Sequence, residues 1–146
     1  MPPRVYILLV ICLLWNPITA QEVHHITLRI DTKNFTPEKA LSWAVGDNSR
    51  VLNTGKGGAF TVLASVGDHI HWEAVSLSDR DVPVKIRHVR YVKGPRIFSR
   101  NLIPGGEEMQ ATVIRGGEQD YMYDLVFRIG HSDQDHVTRS CIRIIN

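Results

Sequence analysis

Alternation of apolar and polar residues is the feature that most constrains this chain, because it recurs in five separate stretches. A period of two sends successive side chains to opposite faces of a β-strand, so each stretch can bury one face. The stretches cover residues 24–30, 60–66, 69–74, 121–129 and 137–145. Glycine-containing turns lie between them. Together with the segments described below, these stretches give seven or eight short strands. That number of short strands with glycine-containing turns predicts an all-β sandwich or barrel.

The segment Val82–Val92 alternates as well, but its phase changes part of the way along. Apolar residues occupy the even positions up to Ile86, whereas Val89 and Tyr91 occupy odd ones. An unbroken strand would then bury charged side chains, so we predict a β-bulge or bend near Arg87 and His88. Such a break is typical of a strand that passes from one sheet to another.

A single helix is predicted, and it would be short. Thr36 is a suitable N-cap, Pro37 suits the first turn, and residues 38–43 can continue the helix. It would connect two strands of a fold that is otherwise all β.

The N-terminus has the pattern of a secretory signal peptide. One basic residue, Arg4, precedes an apolar run over residues 5–15, and Ala20 offers a small residue for cleavage. The run is shorter than the roughly 20 apolar residues that span a bilayer, although an uncleaved anchor is the alternative. We therefore expect a secreted or periplasmic protein with a signal peptide over residues 1–20, cleaved after Ala20. One β-sandwich domain, residues 21–146, would remain, with no transmembrane segment.

Charge and cysteine content restrict the partners and the crosslinks. Lysine and arginine number 17 against 15 acidic residues, and this near balance gives no reason to expect a nucleic-acid partner. Cys12 would leave with the signal peptide, so Cys141 could form no disulfide within the domain. A buried, unreactive thiol is the simple expectation, and an intermolecular disulfide is the alternative.

A family resemblance rests on the segment from Phe60 to Trp72, in which an apolar strand leads through Val66-Gly67-Asp68 into a strand bearing an aromatic residue. This segment resembles the central strand pair of cupredoxin-like domains. The resemblance implies a Greek-key sandwich, with an immunoglobulin-like sandwich as the alternative. It also implies copper ligands on a C-terminal loop, but no His or Met follows Cys141 here. Blue-copper electron transfer is therefore not expected.

A different metal site is one hypothesis for function. His69, His71 and Glu73 share one face of a predicted strand, where two imidazoles could bind the same zinc or copper ion. Further ligands could come from His88, His131 or His136, the last two in a polar loop. The competing interpretation is an ordinary solvent-facing strand surface with no cofactor.

A basic block is the second hypothesis. The segment Val82–Gly106 contains cations but no acid, and its basic residues are Lys85, Arg87, Arg90, Lys93, Arg96 and Arg100. Such a block could bind a polyanionic glycan. Alternatively, acids on neighbouring elements neutralise it, the candidates being Glu107, Glu108, Asp120, Asp124, Asp133 and Asp135.

No catalytic constellation is recognisable, because no serine lies in a nucleophile elbow and no glycine-rich phosphate loop leads into a helix. The sequence therefore predicts a non-enzymatic binding or interaction module whose ligand or protein partner lies outside the cytoplasm. Metal binding and polyanion binding are the two specific alternatives.

Overall fold

A computed structural model of the protein describes residues 20–55 and 59–145. The predicted signal peptide lies outside these residues, apart from Ala20. The described residues form ten strands and no helix, and hence no helix that is long and apolar enough to cross a membrane. The strands are β1 (Val23–Ile30), β2 (Leu41–Val45), β3 (Arg50–Asn53), β4 (Phe60–Ala64), β5 (His69–Ser76), β6 (Val84–Lys93), β7 (Leu102–Pro104), β8 (Gln110–Thr112), β9 (Tyr121–Ile129) and β10 (His136–Ile144).

Two sheets make up the fold, and both are mixed. The four-stranded sheet has the order β2-β1-β5-β8, and the six-stranded sheet has the order β3-β4-β10-β9-β6-β7. Strands β1 and β5 are parallel, as are β4 and β10, and the other pairs are antiparallel. The prediction of an all-β sandwich is confirmed.

The core lies between the inward faces of the two sheets. Trp72 of β5 and Tyr123 of β9 meet across it, and the indole Nε1–H donates to the Tyr123 hydroxyl at 3.2 Å. Among the described residues, the Tyr121 hydroxyl is the one buried side-chain polar atom without a partner. Burial raises the pKa of both phenols, that of Tyr123 to about 12, so both remain protonated near neutral pH.

The predicted helix over Thr36 to Trp43 is wrong. Only one turn forms, in which the Thr36 carbonyl accepts bonds from the backbone N–H groups of Lys39 and Ala40. The chain then enters β2, where Trp43 lies opposite Leu28 of β1 and stacks on Phe60 with ring centroids 5.5 Å apart. Strand pairing partly buries Leu41 and Trp43 against the core, and tertiary packing of that kind overrides a weak local helix preference.

The predicted bulge in β6 is confirmed. Register with β9 shifts between Ile86 and His88, where the phase of the alternation changes. The strand nevertheless stays in one sheet, between β9 and β7, and does not pass to the other sheet as the sequence suggested. Gly105 donates its backbone N–H to the Arg87 carbonyl, and a Cβ there would lie 1.9 Å from the Ile86 oxygen. Glycine is therefore required at this position.

Candidate functional site

The predicted metal-binding strand is β5, and its candidate ligands lie on the outer face of the four-stranded sheet. His69, His71 and Glu73 alternate with Ile70 and Trp72, both of which are buried. The strand alternation that the sequence predicted is thus present, and the imidazoles are partly open to solvent.

A further histidine joins this face from β1. Parallel pairing places His25 beside His71, with ring centroids 5.0 Å apart and planes tilted by 40°. The Nδ1 atom of His69 pairs with the Thr112 hydroxyl at 2.9 Å. Glu73 accepts a hydrogen bond of 2.7 Å from the hydroxyl of Thr27. We name His25, His69 and His71 the histidine face.

The remaining predicted ligands do not join the histidine face. His88 lies on β6 in the other sheet, and His131 is exposed after β9. His136 packs edge-on against Phe35, with ring centroids 4.6 Å apart, and also lies beside Phe127. Within residues 20–55 and 59–145, no three His, Cys, Asp or Glu side chains are already gathered closely enough to hold a metal ion.

The neighbouring histidine on β1, His24, is buried in a network at the start of the strand. Its Nε2 lies 2.8 Å from the Asp68 carboxylate, and its Nδ1 lies 2.9 Å from the Ser49 hydroxyl. Backbone N–H groups of Ser65 and Glu22 donate to the same carboxylate at 2.8 and 3.1 Å. Burial by itself raises the pKa of Asp68, but the bonds from His24 and the two N–H groups outweigh it and lower the pKa overall.

This network joins the start of β1 to the connection between β4 and β5, which crosses from one sheet to the other. His24 and Asp68 also line a cleft of about 790 Å³. Both nitrogens of the His24 ring already have partners, so the network is arranged to hold strands together.

The predicted basic block is divided by the fold. Lys85, Arg87, Arg90 and Lys93 are exposed on β6. Arg96 and Arg100 belong instead to the segment between β6 and β7, where Arg96 lies over the Tyr91 ring at 5.4 Å from its centroid. Tyr91 lies opposite Tyr123 on the inner side of the sheet, so Arg96 leaves the surface that the β6 cations share.

The centre of that surface is Asp124 of β9, which is one of the acids expected to neutralise the block. It lies in register with Arg90 on one side and Arg139 on the other. Arg139 donates from Nε at 2.8 Å and from Nη2 at 3.3 Å, and Arg90 donates from Nη2 at 3.1 Å. Hydrogen bonding to Arg139 is the main reason that the pKa of Asp124 is lowered, and it outweighs burial with help from Arg90. The carboxylate is 7% exposed, whereas the guanidinium side chains are 54% and 52% exposed.

Strands β9 and β10 add further cations that the block along the chain did not reveal. Arg128 bonds to Asp135 and lies 3.6 Å from Asp133, and Arg143 donates to Asp120 at 2.6 Å. Seven cations on three adjacent strands form what we name the basic face: Lys85, Arg87, Arg90, Lys93, Arg128, Arg139 and Arg143. The four paired acids leave a surplus of three positive charges on this face.

Four of the six candidate acids pair with the basic face, so neighbouring acids neutralise the block in part, and polyanion binding stays a prediction. Glu107 and Glu108 form no ion pair within the described part of the chain. Arg139 and Arg143 are polar positions of the last alternating stretch, so the sequence alone could have placed them on the exposed face of a strand. Their meeting with Arg90 depends on β9 lying between β6 and β10, which the sequence does not specify.

Cys141 shares the outer side of β10 with Arg139, yet it is covered by neighbouring residues and is only 2% exposed. Burial, followed by the negative charge of Asp120, raises the pKa of its thiol above the ordinary value. The expectation of a buried cysteine is confirmed, and because a protonated, inaccessible thiol reacts slowly, low reactivity stays the prediction.

Comparison with known proteins informs the fold alone. No family model matches the chain, and no curated protein matches it. Among solved structures, the chain is similar to the inclusion body protein PixA from Burkholderia cenocepacia J2315, with a TM-score of 0.59 and 14% sequence identity. The match covers 89% of this chain and 99% of that one. At this identity the likeness supports the sandwich architecture, and the cupredoxin resemblance stays a prediction.

Proposed function

We propose that the protein is a non-enzymatic binding module that holds an acidic polysaccharide on the basic face. The observation that carries the proposal is the Asp124 cluster, in which one buried carboxylate fixes two guanidinium groups that are each about half exposed. Fixed arginines lose little side-chain entropy when an anion binds, and their remaining N–H groups match the oxygens of sulfate or carboxylate groups.

The flanking cations extend this surface. Lys85, Arg87 and Lys93 belong to the same strand as Arg90, and all three are exposed without an ion pair among the described residues. A row of cations along a strand gives a polymer several contacts at once, and each adds to affinity at low salt. The signal-peptide pattern favours a location outside the cytoplasm, where polysaccharides are exposed.

Heparin chromatography tests the proposal with a charge-matched pair of triple variants. The first variant carries Lys85→Gln, Arg87→Gln and Lys93→Gln on the basic face. The control carries Arg29→Gln, Lys33→Gln and Lys39→Gln, three exposed positions outside that face. If each surface contact with a polyanion contributes about 1 kcal/mol, the first variant loses affinity on the order of a hundredfold.

We expect the wild type and the control to elute from heparin at the same elevated salt concentration, with the first variant eluting well before them. Equal elution of the two triple variants would show that net charge alone causes retention, and this would contradict the proposal. Passage of the wild type through the column at low salt would also contradict it.

A further inference from the structure

We propose that the histidine face is a surface site for one zinc or copper ion, with His25, His69 and His71 as protein ligands. This site lies on the four-stranded sheet, whereas the basic face belongs to the six-stranded sheet. The proposal is therefore independent of polysaccharide binding, and either can fail without the other.

The spacing of His25 and His71 is the first argument. Zinc binds imidazole nitrogen at about 2.0–2.1 Å, so two rings bound to one tetrahedral ion have centroids about 5 Å apart. The observed separation is 5.0 Å between side chains that neighbouring strands place side by side. Both backbones are fixed by the β1–β5 pairing, which leaves only side-chain rotation to complete the pair.

His69 supplies the third nitrogen. It lies two residues before His71 on the same strand and therefore on the same face. Its Nδ1 is paired with the Thr112 hydroxyl of β8, which lies on the side of β5 away from β1 and His25. An ion held by all three histidines therefore requires this bond to break and the His69 ring to rotate toward His71 and His25.

Charge and ligand type select the ion. Three neutral imidazoles suit zinc and copper and disfavour calcium and magnesium, which prefer oxygen ligands. Glu73 follows His71 on the same face and adds one negative charge near the site, where it is held by Thr27. With three protein ligands, a fourth position stays open to water, as it does in zinc sites that are not purely structural.

Calorimetric titration of the protein with Zn²⁺ alone tests the site. We expect one equivalent to bind, with at least a tenfold loss of affinity for His25→Gln and for His71→Gln and a measurable loss for His69→Gln. The matched control is His131→Gln, an exposed histidine after β9 that should bind zinc as the wild type does. His25 is exposed, so its variant should retain the wild-type melting temperature without metal.

Copper provides a second readout. The electron paramagnetic resonance spectrum of the Cu²⁺-loaded protein should show coupling to three nitrogens, reduced to two in His25→Gln. Dependence on His71 separates this site from any copper bound by a chain terminus. Absence of stoichiometric Zn²⁺ binding, or unchanged zinc affinity in His25→Gln, would overturn the proposal.

Discussion

Two buried aspartates, Asp68 and Asp124, show how differently this fold uses the same side chain. Asp68 is held by His24 and by two backbone N–H groups at the connection between the sheets, and its histidine partner is itself only 4% exposed. Asp124 is held by two arginines whose side chains are about half in solvent. Both carboxyl groups have a lowered pKa. Burial is common to both aspartates and therefore does not decide their roles. The role of each one follows from how far its partners are exposed to solvent.

The Asp68→Asn substitution should have the largest effect on stability. An asparagine amide cannot accept on both sides, so its NH2 group faces either the Glu22 N–H or both the Ser65 N–H and the His24 ring, and a donor loses its acceptor. We expect the free energy of unfolding to fall by about 3 kcal/mol in urea titration. The exposed Asp47→Asn is the control and should change stability by less than about 0.5 kcal/mol. A loss at Asp68 no greater than that of the control would remove its structural role.

The Asp124→Asn substitution should cost less, about 1–2 kcal/mol, because Arg90 and Arg139 remain hydrated when their partner loses its charge. The same change frees the Arg90 and Arg139 guanidinium groups that Asp124 fixes, so elution from heparin should move to lower salt even though a negative charge is removed. Destabilisation equal to that of Asp68→Asn would erase the distinction between the two aspartates. Elution at the wild-type salt concentration or higher would instead contradict the role of the Asp124 cluster in polysaccharide binding.

The pH dependence of stability should give the smallest free-energy difference of the three predictions. A carboxyl group with a lowered folded pKa contributes stability that is complete above its unfolded pKa of about 3.9 and is lost as the pH falls through the folded value. Wild-type stability should therefore decline below about pH 4, and Asp68→Asn and Asp124→Asn should each decline less steeply, by under about 1 kcal/mol. Urea midpoints across this range measure the slopes. Parallel curves for all three proteins would mean that neither pKa is lowered by folding.

The sequence predicted the long strands because their alternation is local information. β1, β5, β6, β9 and β10 each carry a buried face that repeats every second residue, and the β6 bulge followed from a break in that repeat. Short strands such as β2 carry too few residues for a period to stand out. In this region the local preference over Thr36 to Trp43 predicted a helix. The structure has β2 instead, because pairing with β1 decides the conformation.

For each candidate site, the sequence predicted only the residues that lie together on one strand. His69 and His71 share a strand, and Lys85 to Lys93 share another, so spacing alone grouped them. His25 meets His71 through a parallel pairing between segments more than 40 residues apart, and Asp124 joins arginines from two other strands. Such pairings depend on the order of strands in a sheet, which alternation does not encode.

The position of β10 has a kinetic consequence. This last strand lies in the middle of the six-stranded sheet and joins the β3-β4 pair to the β9-β6-β7 group. Until β10 is in place, the sheet exists as two separate pieces with unpaired edges. The first strand, β1, is also central in its sheet and awaits β5. Folding dominated by such distant pairings is slow, so the six-stranded sheet can close only after the residues of β10 have been synthesised, and loss of that strand would divide the larger sheet.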